Sequence, residues 1–477
     1  MSRPGILTPP MTLTPIRLGW LILSATLYAL LAYSIDRSQF TGLLGLYFLV
    51  FWGYSIRVRS IQEAASDTSP DRFFLLSALI FRVILLLASP NLSDDYARFV
   101  WDGRLLAHGY NPYLYLPRSL LGTDMAQLAG LSTDLFNRLN SPDYFTVYPP
   151  LNQAFFGLAA WLGGNNLSET VVWLRVPIVL AEIGTIWLLP RLFQRLGQNP
   201  NYALIYTLNP LVILELTGNI HFEAVVIFLC VWAVWAMMAG WPRSRLGDRG
   251  YPAIISWKSL VPSAFIFALA VSTKMLPLIA LPLLIRYLGW TKGLPYSAIV
   301  GVVTVALFLP FASIELIQNV GSSINLYFQK FEFNASIYYL VRQAGYWIRG
   351  YNVIQQVGPG LSLITLAGIL WLAFGRIHMA VSTRLLLTLT LYFAMATTVH
   401  PWYITLVVMA SVFTPFRYPL VWSALVWASY ATYQREPYVE NLWLTTAEYA
   451  VVLGVGLLEW WQQRNKQQTE SATLHNN

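Results

Sequence analysis

The sequence predicts an all-α, polytopic membrane protein, on three observations. More than half of its residues are hydrophobic (56%) and only 11% are charged, against roughly 25% in soluble domains. Apolar runs long enough to cross ~30 Å of hydrocarbon as helices recur along the chain. Basic residues gather in alternate connections, as the positive-inside rule requires of cytoplasmic loops. The 19 Trp and 27 Tyr suit membrane interfaces, where a flat apolar ring meets the headgroups with a polar edge. Those basic loops account for the net charge of +8, and no nucleic-acid motif is present, so no nucleic-acid partner is expected. The lone Cys230 lies in an apolar run, which excludes a disulfide framework and a Cys-based metal site.

Residues 1–72 read as a Pro/Thr-rich tail followed by two leading membrane helices. The first apolar run, 18–35, is long for a signal-peptide core and a second, 41–56, follows at once, so both are read as retained spans. Arg57, Arg59 and Arg72 then mark a cytoplasmic connection. Residues 73–461 form the main membrane unit. Its first run, 73–89, carries the chain to the extracytoplasmic side and into an external loop at 90–146, which holds no crossing run but has interfacial helices. The paired prolines of Tyr148-Pro149-Pro150-Leu151 open a further helix. Reading 151–163 as re-entrant or interfacial keeps the charge parity and leaves about 12–14 membrane helices. Arg191 with Arg195, the group Arg243, Arg245 and Arg249, and Arg464 with Lys466 then face the cytoplasm. A second external loop spans 314–356, and 462–477 is a polar, disordered cytoplasmic tail. The polar clusters at 218–223, 272–274, 331–336 and 398–403 all fall on the external face.

The densest cluster on that face is 93–104, Ser-Asp-Asp-Tyr-Ala-Arg-Phe-Val-Trp-Asp-Gly-Arg. Asp94, Arg98 and Asp102 recur every four residues, so a helix presents one charged edge and one aromatic edge. Adjacent carboxylates at Asp94 and Asp95 repel, which can raise one pKa toward that of a working base. The alternative is a helix N-cap. Asp102 and Arg104 read equally well as a solvated helix edge. Lys274 interrupts an apolar run, where an unpaired ammonium is expensive; it either snorkels to the interface or meets an anionic ligand such as a phosphate. His221 and Glu223 offer too few donors for a metal and read as a ligand-facing pair. His400 fits a satisfied interfacial histidine as well as a site residue. Asn334, in Asn-Ala-Ser, also matches a glycosylation acceptor.

As an ordered set, the stretch 95–103, Gly109-Tyr110-Asn111-Pro112-Tyr113, Tyr148-Pro149-Pro150-Leu151, Lys274-x-x-Pro277, 333–339 and His400-Pro401-Trp402-Tyr403 resemble the GT-C glycosyltransferases. Within that class the chain is most similar to bacterial polyprenyl-phosphate mannosyltransferase-like proteins of glycosyltransferase family 87 type, with a fainter similarity to the mannosyltransferase that builds GPI anchors. The resemblance begins near residue 73, so the two leading helices look like an addition. It implies a GT-C membrane fold and an enzyme of the bacterial inner membrane with an outward-facing site. That enzyme moves a sugar, mannose first, from a polyprenyl-phosphate donor to a lipid or glycan acceptor, inverting the anomeric carbon.

The resemblance implies Asp95 as base, with Asp94 as runner-up. It implies Lys274, Arg342, Arg98 and Arg104 as cations for the donor phosphate. Asp102, Trp101, Tyr148, His221, Glu223, Asn334, His400 and Trp402 would line the pocket, the rings of Trp101, Tyr148 and Trp402 offering stacking faces to a pyranose. Some relatives separate the two leading carboxylates by a residue, and some use a divalent cation such as Mg or Mn; the Asp-Asp pair leaves that choice open, and no metal ligand is assigned. The competing classes are a transporter or flippase of a lipid-linked sugar and a surface-polysaccharide polymerase or ligase. Transporters set polar groups near the midplane on broken helices, often in repeated halves. Polar clusters on one face without a visible repeat favour an enzyme, and the early Asp-Asp motif favours a transferase over a polymerase.

Overall fold

A computed structural model describes residues 13–63, 69–239, 255–434 and 437–475. Arg243, Arg245 and Arg249, expected on a cytoplasmic connection, lie outside the described residues. Among the described residues the secondary structure is helical, with one parallel bridge between Phe333 and Thr398. Lipid favours this outcome, because a helix satisfies its backbone N–H and C=O groups within a single segment.

The chain opens with α1 (Pro15–Tyr33) and α2 (Phe40–Glu63). Thr14 caps α1 by accepting the Arg17 N–H, and Pro15 fits the first turn because its missing donor is not needed there. At one end of this hairpin Arg17 and Arg57 share Asp71; at the other, Arg37 reaches Asp94. α3 (Arg72–Ile84) has 13 residues, about 20 Å of helix, and is shorter than the expected span 73–89. Helix stops there because Arg175 takes the Leu86 and Ala88 carbonyls in place of further helical donors.

The first loop holds α4 (Asp95–Ala107) and three short helices, α5 (Pro117–Leu120), α6 (Asp124–Leu128) and α7 (Thr133–Asn137). Thr123 and Ser132 cap the last two. α8 (Pro150–Gly163) and α9 (Leu167–Arg195) follow. α4 and α8 approach to backbone contact, since a Cβ on Gly103 would lie 2.3 Å from the Phe156 carbonyl oxygen. Phe99 stacks on Phe156 beside this contact, ring centres 4.5 Å apart.

Beyond α10 (Ala203–Thr207) and a π-helical stretch at Val212–Gly218, the chain bends by 112° into α11 (Glu223–Met237). Ile220 makes the corner with φ +61°, a left-handed conformation that a β-branched residue adopts only under constraint. α12 (Trp257–Thr273) ends at Lys274, whose backbone is extended, and a 3-10 turn at Leu276–Ala280 leads into α13 (Leu281–Leu288). The apolar run around Lys274 is therefore two helical pieces with the lysine at their break.

The remaining helices are α14 (Trp290–Phe308), α15 (Ile314–Lys330), α16 (Ile337–Arg349), α17 (Ile354–Phe374), α18 (Val381–Met395), α19 (Ile404–Ser411), α20 (Tyr418–Leu425) and α21 (Leu442–His475). α15 and α16 occupy the second expected loop. The tail expected to be disordered instead continues α21 as far as His475.

Six helices among the described residues are long and apolar enough to cross a membrane, and the bent pair around residue 220 makes a seventh. Trp257–Thr273, Leu276–Leu288, Val381–Met395 and Pro401–Ser411 are shorter apolar helices. The expectation of 12–14 membrane helices counts such short and bent pieces as crossings. The chain is a multi-pass integral membrane protein. Gly103→Ala is expected to destabilise it by about 1–3 kcal/mol, because the clash is with backbone and neither helix can yield cheaply. The thermal midpoint of detergent-purified protein measures this, and an unchanged midpoint would contradict the close α4–α8 contact.

Candidate active site

The site begins where α4 does. Asp94 stands at the N-cap position but makes no capping hydrogen bond. Ser93 Oγ accepts the Asp95 N–H at 3.3 Å instead. The Asp94 carboxylate turns to Arg37, whose Nη1 donates to both its oxygens at 3.0 and 2.9 Å. Asp95 accepts one hydrogen bond, from Asn140 Nδ2 at 2.8 Å. Its side chain is half-buried, in a recess shared with Lys274 and Glu223, whose charges reach it. Burial lifts the Asp95 carboxyl above its ordinary range; Asn140 and the Lys274 charge pull it down, while Glu223 and Asp94 push it up.

The two helix breaks supply the opposite wall. Lys274 Nζ donates to Glu223 Oε1 at 2.5 Å and lies 5.7 Å from the centre of the Tyr403 ring. Glu223 Oε2 has no hydrogen-bond partner, and neither do His221 Nε2 and His400 Nδ1. The rings pile up: His221 on Trp402 at 3.8 Å, Trp402 on His400 at 4.3 Å, and His400 on Phe333 at 4.8 Å. Burial, then the Lys274 charge, pushes His400 down to about 3, so it enters the pile as a neutral ring. Phe333 is held by the main chain, its N–H donating to Thr397 and its carbonyl accepting from Val399.

Arg175 on α9 sets the register between these walls. It is buried and donates to the carbonyls of Leu86 and Ala88, ahead of the acidic motif, and to those of Thr217 and Gly218, ahead of His221. Asn219 Oδ1 adds a second tie by accepting the N–H groups of Asn91 and Leu92 at 3.3 and 3.2 Å.

Other residues expected at the site lie elsewhere or are already committed. Arg98 pairs with Asp102 and donates to the Ser141 and Tyr144 carbonyls, and Asp102 also accepts from Gln153. Arg104 holds the Gly130 and Asn165 carbonyls. Both arginines hold loop carbonyls, and Arg98 Nη2 and Arg104 Nε are the nitrogens of theirs that stay buried without a partner. Arg342 pairs with Glu332 and lies over the Tyr339 ring, within a cluster on α16. Trp101 is fully buried against Phe136, and Trp402 has an imidazole on each face, so neither presents an open ring to a pyranose. Tyr148 is half-buried and meets Phe99 edge-on. Asn334 is buried with φ +45°; its side chain binds Glu448, its N–H Glu440, and its carbonyl Tyr449, so it shapes the strap that carries Phe333.

A divalent cation does not fit these donors. Arg37 covers Asp94, Asn140 holds Asp95, and no three His, Cys, Asp or Glu side chains converge among the described residues. Arg37, Asn140 and Arg175 escape motif reading. Arg175 alone carries a sequence signal, a charge inside an apolar run.

Removing either member of the Lys274–Glu223 pair is expected to cost unequally. Glu223 is 1% exposed and Lys274 23%. Lys274→Met strands a buried carboxylate and should cost about 3 kcal/mol, whereas Glu223→Gln leaves an ammonium that reaches water and should cost about 1 kcal/mol or less. Equal shifts in thermal midpoint would contradict this asymmetry.

Residues 14–289 match the family described as alpha-(1->6)-mannopyranosyltransferase, N-terminal domain. The match starts at α1, so the two leading helices are part of the family pattern and not an addition to it. A probable alpha-(1->6)-mannopyranosyltransferase of Mycolicibacterium smegmatis is 27% identical over 267 residues, 53% of this chain and 44% of that protein. Alpha-(1->6)-mannopyranosyltransferase A of Mycobacterium tuberculosis is 27% identical over 257 residues, 51% and 44% of the two chains. The protein of that name in Corynebacterium glutamicum is 25% identical over 228 residues, 47% and 41%. These matches span less than half the length of each relative. No solved structure matches. With more than half of its length covered by the family match, the chain belongs to the family of the alpha-(1->6)-mannopyranosyltransferase N-terminal domain.

Proposed function

We propose that this protein is a glycosyltransferase that moves mannose from a polyprenyl-phosphate donor to a hydroxyl of a lipid or glycan acceptor, at a site on the extracytoplasmic face, with inversion. The observation that carries the proposal is a half-buried carboxylate without a cationic partner, Asp95, in one recess with a lysine at a helix break, Lys274. The names of the relatives support mannose and the reaction class.

Asp95 accepts the proton of the acceptor hydroxyl as that oxygen attacks C1, the C1–O bond to the phosphate breaks, and the lipid phosphate leaves with the bonding pair. Its negative charge grows as the bond breaks, so a positioned cation stabilises it. Lys274 takes that part, because Arg98, Arg104 and Arg342 are committed elsewhere. Glu223 holds the ammonium in place until the phosphate competes for it. The buried, unpaired atoms Glu223 Oε2 and His221 Nε2, the latter 4.0 Å from Glu215 Oε2, are acceptors or donors for sugar hydroxyls. The outward orientation rests on charge: Arg17, Arg57 and Arg72 lie at the end of the hairpin away from Arg37 and Asp94, as cytoplasmic loops require.

A transporter reading draws on the two broken helices, a feature of substrate sites in secondary transporters. The family membership and Asp95, a partly exposed carboxylate without a cationic partner, favour transfer.

Asp95→Asn should reduce transfer from polyprenyl-phosphate mannose by about a hundredfold or more, the usual worth of a general base, with donor binding retained. Full activity in this variant would remove Asp95 from the mechanism. The base must be ionised, so activity falls as pH drops through the raised Asp95 pKa, and the acid limb lies above the ordinary carboxylate range. Asn140→Ala removes a hydrogen bond that favours the ionised form and should move that limb to higher pH while sparing the plateau rate. A shift to lower pH would contradict the assignment.

A further inference from the structure

We infer that the connection between α1 and α2 completes the reaction centre, with Arg37 engaging Asp94 so that Asp95 alone is left to act as base. The inference rests on the transferase reading for its consequence but on geometry for its content.

Three distant parts of the chain meet at Arg37. Nη1 spans both oxygens of Asp94, Nη2 donates to Tyr438 Oη at 3.3 Å, and the guanidinium lies 5.1 Å from the centre of the Tyr433 ring. The connection that carries Arg37 is itself built for this position. Asp36 accepts the Ser38 N–H and hydroxyl at 2.9 and 2.7 Å, tightening the turn, and those bonds hold its carboxyl below the usual range. Its charge is thus spent on the turn. Asn91 then fastens the turn to the acidic segment, donating to the Ile35 carbonyl at 2.8 Å and accepting the Arg37 N–H at 3.4 Å.

A count of the charges facing the two aspartates shows what Arg37 does. Arg37 balances Asp94, and Lys274 balances Glu223. Arg98, within α4, is balanced by Asp102 one turn on. Tyr148 and Tyr433 present neutral phenols, Tyr438 a hydroxyl that accepts from Arg37, and Asn140 a neutral amide. One uncompensated charge remains, on Asp95. Two adjacent carboxylates without Arg37 would compete for the acceptor proton; with it, Asp94 is a positioning residue and its neighbour the reacting one.

The test uses full-length protein in nanodiscs, treated with a water-soluble carbodiimide and glycine ethyl ester, with modification at Asp94 and Asp95 read by mass spectrometry. In the wild type Asp95 should label in preference to Asp94. Arg37→Gln should raise Asp94 labelling by about threefold or more, the worth of a partly exposed ion pair, and Arg37→Lys should restore protection. Equal Asp94 labelling in wild type and Arg37→Gln, both eluting as folded monodisperse protein, would overturn the inference. In transfer assays Arg37→Gln with Asp95→Asn should recover at least about tenfold over Asp95→Asn alone, because Asp94 is released to act. No recovery, with an unchanged pH profile in Arg37→Gln, would reduce Arg37 to docking the hairpin. Wild-type protein inert toward every polyprenyl-phosphate sugar would overturn the transferase reading, and the labelling ratio would still decide the role of Arg37.

Discussion

Four main-chain carbonyls converging on the Arg175 guanidinium govern where the acidic motif stands relative to the bend at residue 220. An arginine inside a membrane segment is costly and persists only where its donors are satisfied. Here the partners are backbone oxygens that two interrupted helices leave without helical donors. The exchange works in both directions: the breaks supply the acceptors, and the cation stabilises the breaks. Asp94 and Asp95 follow one break and His221 and Glu223 the other, so backbone geometry sets the distance across the recess. A side-chain clamp of this kind transmits less play than packing of flexible rotamers would.

Elsewhere in the membrane region, two buried carboxylates have both oxygens engaged. Arg82 engages Glu182 and the Thr207 carbonyl, and the second oxygen of Glu182 accepts from Tyr206. Both oxygens of Glu448 serve Asn334, one of them also accepting from Trp422. In the recess Glu223 and His221 each keep a buried polar atom without a partner, as Asn152 and Arg417 do elsewhere. Such atoms are expensive in a core and useful where a polyhydroxylated ligand arrives to pair with them.

The helical membrane architecture was legible from composition and apolar periodicity, since both follow directly from the solvent the chain must occupy. The acidic motif, Lys274 and the His-containing clusters were legible as polar interruptions of apolar runs. Roles were harder to read. Arg98 and Arg104 look like spare cations on a helix edge, yet each is committed to carbonyls of a loop more than 25 residues away in sequence. Trp402 looks like an open sugar platform until the two histidines that cover it are brought in from other segments. Arg37 sits in a short polar turn with no distinguishing pattern, and only the folded hairpin brings it to Asp94. A sequence displays what a residue is able to bind, but long-range geometry determines whether that capacity is already used.

The family match also divides the recess. Asp94, Asp95, Glu223 and Lys274, together with the Arg37 that neutralises one of them, lie within residues 14–289. Trp402, His400 and Phe333 lie beyond it, and they reach the matched portion through the stacking of Trp402 on His221. The charged groups of the recess therefore come from one part of the chain, and much of the aromatic wall beside them from the other. The wall has its own supports, because Glu440 and Glu448 position Asn334, and the bridge from Phe333 to Thr398 ties the strap to the segment before His400. A change in that wall can reshape the recess without altering the Arg37–Asp94 or Lys274–Glu223 pairing. Charge pairing and the shape of the aromatic wall are in this way physically separable within a single recess.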